Sequence, residues 1–137
     1  MHYDGRIPKQ IKSSKEIISI LTKTPITREA IVKMIRNGVK LWFIRYPEKR
    51  KGFALPIFEN GWCIRWLICI DYELPDAEKE ETIWHELVHL HLRRTFGCSI
   101  NDNGEGSEEV HPLIIREGER LATGKLLGYK ELLSLLQ

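Results

Sequence analysis

Two histidines and a glutamate stand close together in the stretch His85-Glu86-Leu87-Val88-His89. Residues four positions apart lie one turn apart on the same face of a helix, so both imidazoles can reach one zinc ion at about 2.0–2.1 Å. Glu86 follows the first histidine directly and can take a proton from zinc-bound water as a general base. The spacing therefore predicts a hydrolytic zinc site, with His85 and His89 as ligands and Glu86 as the catalytic residue.

The residues around this motif are apolar and predict a buried helix. They are Ile83, Trp84, Leu87, Val88, Leu90 and Leu92. Histidine and glutamate side chains in a buried helix need partners, because an unpaired buried polar group is costly. A metal ion supplies such partners, and a hydrogen-bonded cluster of core residues is the alternative interpretation.

A hydrolytic zinc site also needs a third protein ligand and an open position for water. The extended motif that carries a third histidine is absent, since Leu92 and Thr95 stand where its glycine and histidine would be. The third ligand must therefore come from later in the chain. Its candidates are Glu108, Glu109, His111, Glu117 and Glu119.

Helix periodicity favours Glu117 among these candidates. Glu117 shares an otherwise apolar helix face with Leu113, Ile114, Leu121 and Gly124. A lone glutamate on such a face needs a partner, and zinc is one. Glu119 lies on a polar face and is the second choice, with His111 third. The structural alternative is that Glu117 forms an ion pair with Arg116 or Arg120.

Other polar residues near the motif carry weaker signals. His91 stands two residues beyond His89 and points away from the predicted zinc face, which indicates a packed or half-exposed side chain. An oxyanion-stabilising donor could be His111, Tyr72 or Tyr129, and the sequence does not choose among them.

Strands and helices are segregated along the chain, which predicts an α+β fold with a small antiparallel or mixed sheet packed on helices. Helices are predicted over 15–23, 28–38, 74–97, 110–128 and 129–137, and strands over 39–46, 53–61 and 62–72. Pro56 makes the segment at 53–61 an edge strand or a loop. The strand at 62–72 is apolar on both faces apart from Arg65, which fits a central strand covered on both sides, or one covered by a helix and a partner loop. Asn60-Gly61 is typical of a tight turn, and 98–109 is predicted to be a loop.

Composition limits the possible classes of protein. The chain has 137 residues, 42% of them hydrophobic, and a net charge of +2. We therefore expect a single domain over 1–137, with 1–12 as a loose lead-in. The odd count of 3 cysteines, without a CxxC pair, favours reduced thiols over a disulfide framework. The N-terminus does not resemble a signal peptide and no apolar run is long enough to span a membrane, so we expect a cytoplasmic protein.

Two segments carry a resemblance to a known family. "ETIWHELVHLHL", residues 81–92, resembles the zinc-binding helix of the ImmA/IrrE-type zinc metallopeptidases. "REGERLATGKLLG", residues 116–128, is similar to the downstream helix of that family, and Glu117 falls on the family's glutamate. Gly118 falls on its small residue, whereas Glu119 replaces its usual Asn or Asp.

The resemblance covers roughly residues 25–128 and implies a small zincin-like, gluzincin-like endopeptidase. It implies Zn²⁺ held by His85, His89 and Glu117, and a narrow protein substrate such as a helix-turn-helix transcriptional repressor. An extended substrate could pair with a sheet edge, for which the strands at 53–58 and 62–72 are candidates.

Two other functions are compatible with the same residues. One is a non-proteolytic zinc-binding protein, or a component of a toxin–antitoxin pair, on the same scaffold; the general-base position of Glu86 favours hydrolysis instead. The other is a small DNA-binding module built from residues 14–38. Its basic residues are Lys15, Lys23, Arg28, Lys33 and Arg36. We expect DNA binding to be absent, and the sequence leaves the oligomeric state open.

Overall fold

The computed structural model describes residues 19, 22–23, 26–45, 51–96, 112, 115–120 and 127–137, and only the backbone at 63 and 93–96. Its elements in chain order are α1 (Arg28–Arg36), β1 (Val39–Ile44), β2 (Gly52–Glu59), β3 (Trp62–Asp71), α2 (Asp76–Phe96) and α3 (Tyr129–Leu136). Residues 115–120 are also helical, and we refer to them as the 115–120 segment. The predicted α+β class is confirmed.

A three-stranded mixed sheet lies at the centre of the fold, in the order β1-β3-β2. β3 pairs in parallel with β1 and antiparallel with β2. The predicted edge position of Pro56 is confirmed, because β2 is an outer strand. β3 is the central strand, and over 66–70 its backbone is paired with β1 on one side and with β2 on the other. The prediction that residues 62–72 could offer a free sheet edge was therefore wrong for that part of the strand.

Local sequence signals explain how the elements begin and end. The Thr27 hydroxyl accepts a hydrogen bond from the Ala30 amide at 3.2 Å and caps α1. Gly38 has a φ of 124°, which turns the chain directly into β1. Asn60 and Gly61 both have positive φ, as the two central residues of a type I′ hairpin turn require.

Some predicted boundaries shift. β1 ends at Ile44 rather than 46. α2 begins at Asp76 rather than 74 and ends at Phe96, and the Pro75 carbonyl accepts a hydrogen bond from the Lys79 amide at 2.9 Å. Gly128 is extended and precedes α3, so the helix predicted over 110–128 does not continue to its expected end.

Other predictions fall largely outside the described residues. The lead-in at 1–12 and the loop at 98–109 lie wholly outside them. Of the helix predicted over 15–23, Ser19, Thr22 and Lys23 are described, and all three are helical.

One apolar cluster joins the helices to the sheet. It includes Leu41 of β1, Ile68 and Ile70 of β3, and Trp84 and Leu87 of α2, none more than 3% exposed. α2 therefore lies on the sheet with its apolar residues inward, as the flanking sequence predicted. Cys69 is a free, buried thiol, and burial raises its pKa. Within the described part of the chain, no helix is both long and apolar enough to cross a membrane.

Gly52 is a close-contact point between β2, β3 and α2. A Cβ there would lie 2.8 Å from the Cys69 carbonyl oxygen and 3.1 Å from the Thr82 methyl carbon. The backbone oxygen cannot move aside cheaply, so the contact requires glycine. The first residue of β2 thus lies directly against α2.

We expect Gly52→Ala to lower the free energy of unfolding by about 1–3 kcal/mol, because the added methyl overpacks this junction. The control is Gly128→Ala, since Gly128 has an ordinary φ of −64° and no atom within 4 Å of an added Cβ. Chemical denaturation of both variants measures the difference. Equal effects of the two substitutions would contradict the close contact at Gly52.

Candidate metal centre

His85 and His89 turn their Nε2 atoms towards each other on one face of α2. The two Nε2 atoms are 3.1 Å apart, whereas the ring centroids are 4.7 Å apart. The nitrogen-bearing edges therefore converge on a common point. Both residues are half-buried, so this point is accessible from one side.

The separation of the two nitrogens fits zinc coordination. With each nitrogen about 2.05 Å from the ion, a tetrahedral angle would separate them by about 3.3 Å. The observed 3.1 Å corresponds to a ligand–metal–ligand angle of about 98°. A hydrogen bond between one protonated and one unprotonated Nε2 has the same length. The distance therefore also fits the alternative interpretation, a hydrogen-bonded cluster of core residues.

Glu86 lies beside this pair and is 9% exposed. Its apolar neighbours Ile83, Trp84, Leu87 and Val88 are fully buried. The predicted burial of the motif helix is thus confirmed. A carboxylate in such surroundings costs free energy unless its charge is compensated, and proton transfer near a metal ion is one role that would retain it.

Gly118 brings the 115–120 segment against the same turn of α2. A Cβ at Gly118 would lie 3.3 Å from the Cα of His85 and 3.4 Å from its amide nitrogen. The two backbones meet closely at this point because Gly118 has no side chain. Glu117, the favoured third ligand, therefore directly precedes Gly118, which lies against the backbone of His85, the first predicted ligand.

The carboxylate of Glu117 is held by Arg120. Arg120 Nε donates to Oε1 and Nη2 donates to Oε2, each at 2.9 Å, in a two-point ion pair. Nη2 also donates to the carbonyl oxygen of Ile26 at 3.1 Å. The hydrogen bond to Glu117 raises the pKa of Arg120, and burial opposes this. Glu117 is only 7% exposed, so its predicted burial is confirmed, with Arg120 as a partner.

The third ligand is therefore not assembled with the histidines. Among the described residues, no group of three or more histidine, cysteine, aspartate or glutamate side chains is arranged to hold a metal ion. The histidine pair fits zinc, and Glu117 is adjacent but engaged elsewhere. Zinc binding at three protein ligands would require the carboxylate to exchange partners.

The other candidates are placed less favourably or lie outside the described residues. Glu119 is exposed, as its helix face predicted, and His91 is half-buried. Glu108, Glu109 and His111 are outside the described residues.

The two tyrosine candidates for oxyanion stabilisation are both described. Tyr72 is 45% exposed, in the turn after β3. Burial raises the pKa of Tyr129, and the carboxylates of Asp76 and Glu80 raise it further. Tyr129 is half-buried at the start of α3 and packs against the apolar core.

Two features of the site had no clear sequence signal. Thr82 lies one turn before Glu86 on α2, and its contact with Gly52 brings β2 next to the motif face. The Trp84 indole nitrogen, directly before His85, is buried and has no hydrogen-bond partner among the residues that the structure describes. Long-range contacts of this kind depend on tertiary packing and leave no local periodicity.

Comparisons of the chain with protein-family models, with curated proteins and with solved structures each found no match. The resemblance of residues 81–92 and 116–128 to the ImmA/IrrE-type peptidases therefore stays a prediction from the motifs.

We expect Gly118→Val to lower the free energy of unfolding by about 1–3 kcal/mol, because its side chain would separate the 115–120 segment from α2. The same change should weaken zinc binding by moving Glu117. Arg116→Val is the matched control, since Arg116 is exposed in the same segment. Thermal unfolding and zinc titration measure both effects. A Gly118→Val protein with wild-type stability and zinc affinity would show that the close helix contact does not matter.

Proposed function

We propose that this protein is a zinc-dependent endopeptidase in which His85, His89 and Glu117 hold the metal ion and Glu86 is the general base. The observation that carries the proposal is the 3.1 Å separation of the two histidine Nε2 atoms beside a buried Glu86 on one helix.

Zinc, when bound, would supply a Lewis acid that polarises the scissile carbonyl. The residues of this chain would carry the proton. Glu86 accepts a proton from the attacking water and delivers it to the leaving amine. The carboxylate is well suited to this role because its apolar neighbours limit competing hydration.

The position of β2 supports an extended peptide as substrate. Within the described residues β2 pairs with β3 alone, so its outer edge offers backbone groups for strand addition. Its first residue, Gly52, lies against Thr82 on the motif face of α2. A peptide added along β2 would thus run beside the histidine pair. Helices packed on a small mixed sheet with an outer strand beside the motif helix suit the proposed zincin-like fold.

The substrate class rests on the motif resemblance. Peptidases of the ImmA/IrrE type act on narrow targets such as helix-turn-helix repressors, and we propose a protein substrate of this class in the cytoplasm. A repressor segment would need to be locally extended or unfolded to pair with β2, since strand addition uses its backbone groups.

One observation favours a non-proteolytic zinc-binding protein as the second candidate. The described residues contain no complete three-ligand group, and Glu117 is occupied by Arg120. A binding protein could hold zinc through the histidine pair and a partner molecule. Hydrolysis that depends on Glu86 separates the two functions.

The basic residues of α1 give little support for DNA binding. Arg28, Lys33 and Arg36 line a groove of about 520 Å³ between α1 and α3, but Glu29 and Glu131 line it as well. Arg28 is paired with Glu131 at 2.8 Å. Phosphate groups would meet these carboxylates, so we expect no salt-dependent affinity for duplex DNA.

We expect the purified wild-type protein to hold about one zinc ion and to cleave members of a random peptide library, as detected by mass spectrometry. Glu86→Gln should keep the zinc and lose at least about 100-fold in cleavage rate, because it removes the general base. Lys40→Gln, an exposed β1 substitution, is the control for the expression and handling of a variant.

Zinc-loaded wild-type protein that cleaves nothing, or that cleaves equally well as Glu86→Gln, would contradict the peptidase. The same zinc content without cleavage would instead support the binding protein. A wild-type protein that holds no zinc after reconstitution would contradict both.

A further inference from the structure

We propose that Arg120 is a competitor for the third zinc ligand: it holds the carboxylate of Glu117 in an ion pair that zinc binding must break. This inference rests on the proposed zinc site. It concerns how strongly the chain binds the metal, which the ligand set alone does not determine.

The geometry of the ion pair carries the argument. Nε and Nη2 of Arg120 face the two carboxylate oxygens of Glu117 side by side, each at 2.9 Å. A fork of this kind uses the lone pairs on the open side of the carboxylate, between its two oxygens. A metal ion that approaches the carboxylate from this side would need the same lone pairs. A guanidinium and a zinc ion at one carboxylate would also repel each other as two positive charges.

A second contact keeps Arg120 in place. Its Nη2 also donates to the Ile26 carbonyl oxygen at 3.1 Å, and Ile26 is a core residue that is 4% exposed. The guanidinium is therefore anchored to the chain just before α1 as well as to Glu117. This anchor favours the paired arrangement, because the arginine side chain loses little further freedom by keeping it.

The exposure of the two side chains indicates which one can turn into solvent. The Arg120 side chain is 42% exposed, whereas that of Glu117 is 10% exposed. Arg120 can therefore turn into solvent and regain hydration, whereas the Glu117 carboxylate is already largely withdrawn from water. Because Glu117 is not assembled with the two histidines, zinc binding requires the carboxylate both to leave Arg120 and to shift towards them. It also removes the donor to the Ile26 carbonyl, which couples the metal site to the start of α1.

The test is the zinc affinity of Arg120→Gln, measured by competition with a chromophoric chelator. We expect about a tenfold gain over the wild type, because the variant removes a charge-assisted two-point contact that opposes the metal. Arg116→Gln makes the same charge change in the same segment, where the side chain is exposed, and should leave the affinity within about twofold of the wild type. Circular dichroism of the metal-free variants reports whether each is folded.

Two further variants keep the test decisive. Arg120→Lys keeps the positive charge but cannot form the two-point contact with Glu117. Its zinc affinity should lie between that of the wild type and that of a chain without the contact, and it provides the test if Arg120→Gln does not fold. In a Glu117→Ala background, Arg120→Gln should have no effect on zinc affinity, because the contested carboxylate is gone.

A lower zinc affinity in Arg120→Gln and Arg120→Lys would show that Arg120 orients Glu117 for the metal, and would overturn the inference. Unchanged affinity, or an equal gain in Arg116→Gln, would overturn it too while leaving the proposed zinc site intact. Failure of the wild-type chain to bind zinc at all would instead overturn the proposed function, and the inference with it.

Discussion

The burial of α2 against the sheet is the constraint on which the rest of the structure depends. Trp84, Leu87 and Val88 are fully buried, so the rotation of the helix about its axis is fixed. That rotation sends His85 and His89 to one half-buried face, where their Nε2 atoms meet. The same packing buries Glu86, which is 9% exposed, directly after the first histidine.

Close approach of backbones then brings the other parts of the site to this face. Gly52 admits the start of β2 next to Thr82, and Gly118 admits the 115–120 segment next to His85. Both junctions depend on the absence of a side chain. The first junction places the start of β2 one turn before Glu86, and the second places the residue after Glu117 against the backbone of His85. The zinc site and the substrate edge in the proposed function therefore share a structural origin.

The carboxylate of Glu117 is subject to two competing demands. In the observed arrangement its charge is neutralised by Arg120, which satisfies the cost of its burial without a metal ion. In the proposed zinc-bound state the metal takes over that role. The affinity for zinc is then a difference between two ways of compensating one buried charge. This explains how a metal-binding motif and an incomplete ligand group can occur in the same chain.

Much of the fold could be predicted from local sequence signals. Thr27 and Asn60-Gly61 act through short-range capping and turn geometry, and the alternation of Val39 and Leu41 with Lys40 marks the core face of β1. The four-residue spacing of the histidines likewise fixes their common face.

The features that escaped prediction depend on partners far apart in the chain. The apolar residues on both faces of 62–72 indicated a central strand, which is confirmed, but they do not encode that β1 pairs with it in parallel and β2 antiparallel. The contact between Arg120 and the Ile26 carbonyl spans 94 positions of sequence. The sequence offered an ion pair between Glu117 and Arg120 as one alternative. Whether the carboxylate prefers Arg120 or zinc depends on the free energies of the two arrangements, which residue spacing does not reveal.

The central claim is that His85 and His89 bind one zinc ion together. The most direct measurement is the zinc K-edge X-ray absorption spectrum of the protein loaded with one equivalent of zinc. If both histidines bind the ion, the spectrum should show two imidazole nitrogens at about 2.0–2.1 Å from zinc, with oxygen ligands completing a four-coordinate shell. A spectrum without imidazole scattering, or with that of a single histidine, would contradict it.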